Sequence, residues 1–170
     1  VIVPVPERLH ARNAFQWLSG ADVVLDCTDN FPTRYLINDA CGLLGIPMVY
    51  GALYRFEGQM AVWQHRDHGD APVTYRCLFP EDEFRRAAVD CATAGTLGAT
   101  AGVIGTLQAS EALKLLTGIG RVTSGRLFTF NLMTLATSSI DILRDAKACA
   151  AAPANWEELQ QHPYETVLTQ

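Results

Sequence analysis

The sequence has no run of Lys and Arg and no basic stripe; 13 basic residues against 18 acidic ones leave a formal net charge of −5. That balance argues against a nucleic-acid partner, which would leave an electrostatic footprint. No apolar run approaches the roughly 20 residues that a membrane-spanning helix needs. The apolar opening, residues 1–6, has no basic segment ahead of it to make a secretory leader. No G-x-G-x-x-G phosphate loop, internal repeat or low-complexity linker is present. The five cysteines (Cys27, Cys41, Cys77, Cys91, Cys149) are odd in number and unevenly spaced. Without an export signal, that pattern suits a reducing cytoplasm rather than a disulfide framework. What is there is an ordinary globular composition, 49% hydrophobic and 18% charged over 170 residues. By size this is one domain, able to bury a core without staples.

The stretch that organises the chain is residues 21–34, ADVVLDCTDNFPTR. Val23 to Leu25 is a short run of β-formers, apolar on both faces, as in a parallel strand covered by helices on both sides. It ends in the polar cluster Asp26-Cys27-Thr28-Asp29-Asn30, and residues 33–44 then read as a helix. Ligands of open parallel sheets bind at the carboxyl ends of the strands. Two carboxylates and an amide within five residues at that edge are placed to hold a metal or a phosphate-bearing ligand, although Asp29 or Asn30 could equally cap the following helix.

Around this stretch, residues 1–5 read as a strand and 7–18 as an amphipathic helix closed by Ser19-Gly20. Met48-Val49-Tyr50 forms another apolar strand. Alternating strands and helices predict an α/β, Rossmann-like doubly wound sheet whose parallel first half continues into antiparallel strands. Those later strands are expected at 53–56 and 59–63, with Gly58 allowing a bulge or bend, and at 123–130 and 133–143. Residues 80–90 are densely charged and read as a solvated loop. Residues 95–118 read as the longest helix, its glycines at 95, 98, 102 and 105 suited to a closely approaching backbone or a ligand. The domain is expected to span 1–145, with 146–170 a tail that includes a turn of helix at 156–161. The first residue is Val, and the chain is expected to lack an N-terminal part of a larger protein.

The string Asp-Cys-Thr-Asp-Asn with Arg34 four residues later resembles the ATP site of the ThiF/MoeB family, relatives of ubiquitin-activating enzymes. The resemblance continues through Arg55-Phe56-Glu57-Gly58-Gln59, Tyr75-Arg76-Cys77-Leu78-Phe79-Pro80, Cys91-Ala92-Thr93-Ala94-Gly95, the run from Gly102 to Ala109, and Glu111-Ala112-Leu113-Lys114. It implies an ATP-dependent adenylyltransferase acting on the C-terminal glycine of a ubiquitin-like sulfur carrier, of the thiamine or molybdopterin type, and a homodimer. It also implies that Asp29 holds Mg²⁺ near the ATP phosphates, with Asn30 beside it in the nucleotide site. Arg34 could reach a phosphate or form an exposed salt bridge, and Asp26 is expected to orient the loop. Cys91 matches a cysteine that forms a covalent link to the carrier in several members. Its thiolate would be favoured by the following helix and by Arg85 and Arg86. Cys27 and Cys41 are expected in the core.

Relatives carry two Cys-x-x-Cys pairs that complete a zinc site. Here those positions are Thr74 and Cys77, then Cys149 and Ala152. Two thiolates leave zinc short of its four ligands, so the site is expected to be lost. The family's Gly-rich loop would precede residue 1. An alternative is a non-catalytic partner module of an activating-enzyme-like complex. A nicotinamide-dependent dehydrogenase is a third reading, opposed by the sequence after the strand.

Overall fold

The computed structural model describes residues 1–66, 71–81 and 95–164. Five strands form one mixed sheet in the order β1 (Val24–Asp26), β2 (Met48–Tyr54), β3 (Glu57–Trp63), β4 (Arg126–Asn131) and β5 (Ala136–Asp141). β1 and β2 are parallel, with Asp26 opposite Tyr50, and every later pairing is antiparallel. The expected change from parallel to antiparallel therefore falls after β2. The helices are α1 (Ala14–Leu18), α2 (Phe31–Leu44), α3 (Tyr75–Leu78), α4 (Gly98–Thr117), α5 (Ala146–Ala150) and α6 (Trp156–Gln161).

Period-two alternation sorts the strand residues between two layers. Met48, Tyr50, Ala61, Trp63 and Leu127 face a core completed by Tyr35, Leu36 and Ala40 of α2, Tyr75 of α3 and Leu159 of α6. Met60 and Phe130 face the opposite side, where Ile104 of α4 packs on them. α4 lies close to the sheet because Gly58 has no side chain: a Cβ there would lie 2.5 Å from the Phe130 ring and 2.7 Å from Ile104 Cγ1. Gly58 sits in register opposite Leu53 and Phe130, so it serves close approach and not the expected bulge. At the other end of α4, Gly118 at φ 68° closes the helix as its sequence position predicts.

Several expectations need correction. Residues 1–5 form no strand and are exposed. The helix expected over 7–18 is confined to its last five residues. Asn13 diverts the chain ahead of it, accepting from the His10 N–H at 2.9 Å and donating to the Arg8 carbonyl at 3.1 Å. Such local side-chain bonds compete with helix. β1 is not covered on both faces: Leu25 is 40% exposed, because α4, the helix on that side, packs mainly on β2 and β3. Residues 53–56 are no separate strand. β2 runs through Tyr54, and Arg55 (φ 53°) and Phe56 turn it directly into β3. The last two strands start later than expected, at Arg126 and Ala136, and every residue of β5 is exposed. The helical turn at 156–161 is present, and its Leu159, with Tyr164 beyond it, joins the main core. Most of the charged stretch, 82–90, lies outside the described residues, but Glu81 is buried against Arg76.

Candidate nucleotide site at the carboxyl end of β1

A cleft of about 480 Å³ opens where β1 ends. The 27–29 loop and Arg34 line one side, Gly51 to Leu53 of β2 the floor, and Thr96, Ala101, Gly105 and Gln108 the other. The small residues of the first half of α4 keep it open. At Gly98, Gly102 and Gly105 an added Cβ would meet nothing within 4 Å, so no backbone of the described chain approaches them.

The loop is held at both ends. Asp26, fully buried, accepts from the Thr28 N–H at 2.9 Å and the Thr28 hydroxyl at 2.6 Å. Burial pushes its carboxyl above the ordinary value, against the opposing pull of Arg34 and the Thr28 hydrogen bonds. Arg34 is not the exposed salt bridge that was one expectation. It is 8% exposed, donates to the Thr28 carbonyl at 2.7 Å, sits over the Tyr50 ring at 5.3 Å, and reaches Asp26 at 3.6 Å. Asn30 caps α2, accepting from the Thr33 N–H at 2.9 Å, so the capping alternative holds for this residue. Its amide also donates to Asp29 at 3.2 Å. Asp29 is exposed at the mouth of the cleft. Magnesium commonly takes one or two protein carboxylates, with waters and phosphates completing its shell. Asp29 fits that requirement; Asp26, turned inward, does not.

Cys27 is a correction: expected in the core, it is exposed at the cleft, its Sγ 3.8 Å from Gln108 Oε1. Cys41 is fully buried, and burial pushes its thiol up to about 12. Cys91, Arg85 and Arg86 lie outside the described residues.

Gln108 is the residue that sequence reasoning missed. It is 3% exposed on α4, yet its amide donates to the carbonyls of Asp26 at 2.8 Å and Val49 at 3.2 Å. It thus ties α4 to the end of β1 and the start of β2. Gly51 makes room for it, since a Cβ there would lie 2.6 Å from the Gln108 carboxamide. A signal existed: Gln108 falls four residues after Ile104, on the sheet-facing side of the helix, where an apolar residue is the norm.

Away from the cleft, three of the four positions that the resemblance aligns with zinc ligands come together. Cys77 and Cys149 have their sulfurs 3.4 Å apart, and the Thr74 hydroxyl is 3.5 Å from one and 3.7 Å from the other. Burial would raise the Cys77 thiol, but hydrogen bonds from Thr74, the Asp145 backbone and Cys149 bring it below its ordinary value. Burial and the hydrogen bond to Cys77 raise Cys149. The fourth position is Ala152, a methyl group. Two thiols and a hydroxyl do not fit tetrahedral zinc.

A mixed α/β sheet with a ligand-sized cleft at the carboxyl end of its parallel pair places the chain among the Rossmann-like folds. Within that class the chain belongs to the ThiF family, which it matches over residues 1–151. It is 43% identical over 155 residues to a sulfur carrier protein adenylyltransferase of Thermus thermophilus, covering 89% of this chain and 57% of that protein. It is 44% identical over 139 residues to the SAMP-activating enzyme E1 of Haloferax volcanii, covering 82% and 50%. The chain thus spans about half the length of these relatives. The crystal structure of Escherichia coli MccB with MccA shares the fold, at TM-score 0.65 and 11% identity over 84% of this chain and 42% of that one.

Proposed function

We propose that the protein containing this chain adenylylates the C-terminal glycine of a ubiquitin-like sulfur carrier at the expense of ATP, of the type serving thiamine or molybdopterin biosynthesis. The observation that carries the reading is the cleft at the end of β1, with the Asp29 carboxylate at its mouth and the loop behind it held by Asp26, Arg34 and Asn30. Similarity to proteins named as adenylyltransferases supports the same reaction.

Adenylylation brings a carboxylate to a phosphate, two groups of like charge. A magnesium ion on Asp29 would supply charge neutralisation there. Asn30 donates one hydrogen bond to the Asp29 carboxylate, and Arg34 gives the loop a local positive charge from behind. Cys91 is the candidate for a subsequent covalent step with the carrier. We further propose a homodimer, on the strength of the open small-residue face of α4, and a cytoplasmic setting, from the cysteine pattern. The degenerate zinc positions favour one competing reading, a non-catalytic partner module.

The test uses the full-length protein. Asp29→Ala should remove most carrier-dependent exchange of pyrophosphate into ATP, a loss of several tenfold steps at about 1.4 kcal/mol each. Cys91→Ala should preserve that exchange and abolish any reductant-cleavable adduct with the carrier. If neither substitution changes anything, the partner module is the better reading.

A further inference from the structure

The thiol pair left at the former zinc positions has a geometry of its own. Cys77 lies in the four-residue helix α3 and Cys149 in the five-residue helix α5, both half-buried and both free. Their sulfurs are already in contact at 3.4 Å. A disulfide needs them at about 2.0 Å, so the closing movement is about 1.4 Å and falls on two short elements. The Thr74 N–H and hydroxyl both lie 3.5 Å from the Cys77 sulfur, as donors that would support a thiolate there. Cys41 has no such setting; it is fully buried in the core.

We propose that Cys77 and Cys149 form a reversible intrachain disulfide, a clasp joining the segment after β3 to the segment after β5 where relatives of this family would use a metal. The oxidant is a low-molecular-weight disulfide of the glutathione type. The Cys77 thiolate attacks one sulfur of the oxidant and expels one glutathione thiolate. The Cys149 thiolate then attacks the Cys77 sulfur of the mixed disulfide and expels the second. Two protein thiols lose two protons and two electrons, and one glutathione disulfide becomes two glutathione molecules. The closed loop would span 72 residues, long enough for the cross-link to restrict the unfolded chain substantially. The clasp also holds α3, whose Arg76 sits beside Cys77 and reaches the buried carboxylates of Asp39 and Glu81. The inference stands apart from the adenylylating reading, since it needs no nucleotide and no carrier.

The experiment treats the native full-length protein with glutathione disulfide, blocks the remaining thiols, and maps tryptic peptides without reduction. The tryptic peptide beginning at Cys77 should appear joined to the one beginning at Ala148, two mass units below the sum of the free thiol forms. The midpoint of thermal unfolding should rise by about 5–10 °C. Dithiothreitol should reverse both changes, and Cys77→Ser and Cys149→Ser should each prevent them. Because the linkage is read in the unsubstituted chain, the result does not depend on the variants folding. Glutathione adducts that persist on either cysteine without linkage would overturn the proposal. So would linkage of either cysteine to Cys27 or Cys91, or one zinc per chain protecting both thiols.

Discussion

Replacing Gly51 by Ala should be far more damaging than its chemistry suggests, and only while Gln108 is present. The new Cβ would lie 2.6 Å from the carboxamide carbon of Gln108 and 2.7 Å from its nitrogen and oxygen. Ordinary contact begins near 3.4 Å, so the carboxamide must retreat by about 0.8 Å, at which its bonds to Asp26 and Val49 exceed hydrogen-bonding range. The carboxamide is the end of a flexible side chain, so the shift itself costs little. The cost lies in the two N–H donors of the buried Gln108 amide, each left without its acceptor at about 1–3 kcal/mol. Alanine returns roughly 0.4–1 kcal/mol by restricting the unfolded chain, leaving a net loss of about 1–5 kcal/mol, centred near 3. Urea unfolding followed by tryptophan fluorescence measures it, as a midpoint lowered by about 1–2 M. Gln108→Ala alone should cost a similar amount, and adding Gly51→Ala to it should cost almost nothing more. Additivity of the two substitutions within about 0.5 kcal/mol would refute the coupling.

Purified protein should carry much less than one zinc per chain, because Cys77 and Cys149 lack two partners; elemental analysis giving stoichiometric zinc that Cys77→Ser removes would contradict this. Arg76→Met should destabilise by about 3–5 kcal/mol, since Arg76 is 1% exposed and its loss removes the guanidinium that the buried carboxylates of Asp39 and Glu81 share; denaturant titration reads it. Asp26 has a folded-state pKa raised above 3.8 by burial, so the folded protein holds its proton longer than the unfolded chain does. Its contribution is therefore full below that value and is lost as pH rises through the raised one. Asp26→Asn should accordingly flatten the fall of stability above pH 3.8, which urea titrations at a series of pH values would follow. Sedimentation should give a dimer at micromolar concentration, and a monomer alone would count against it.

Helix α2, the first half of β2 and strand β3 were legible because local signals agreed. Asn30 caps, Pro32 sits in the first turn, Gly45 closes α2, and short apolar runs mark the strands. The opening segment was misread because its five residues carry the composition of a strand while no strand of the described chain pairs with them. A strand is a property of its neighbours as much as of its residues. The same holds for Gly58, whose role depends on Ile104 and Phe130, 46 and 72 residues away. At the site, the loop could be read because its polar residues are contiguous. Gln108 was marked only as a polar residue on the sheet-facing side of α4; its role could not be read, because it is set by carbonyls of Asp26 and Val49, 82 and 59 residues off.

The capping and ligand-binding readings of the Asp29-Asn30 pair were posed as alternatives, yet the geometry is compatible with both at once. A carboxylate that must meet a phosphate needs a fixed position, and fixing it by its own hydrogen bonds would spend the lone pairs the ligand requires. Here the restraints fall on its neighbours instead. Thr28 is held from both sides, its N–H and hydroxyl by Asp26 and its carbonyl by Arg34. Asn30 is held by its cap on Thr33. Asp29, between them, accepts one bond from the Asn30 amide at 3.2 Å and otherwise faces the cleft. The buried Asp26 and Arg34 therefore act as positioning residues, and the pair predicts a distinct signature. Weakening it with Arg34→Met should loosen the loop and impair nucleotide use. Asp29→Asn should leave stability unchanged within about 0.5 kcal/mol, as for an exposed side chain, and lose the activity. Equal losses of stability in the two variants would mean that Asp29 is part of the scaffold and not its cargo-facing group.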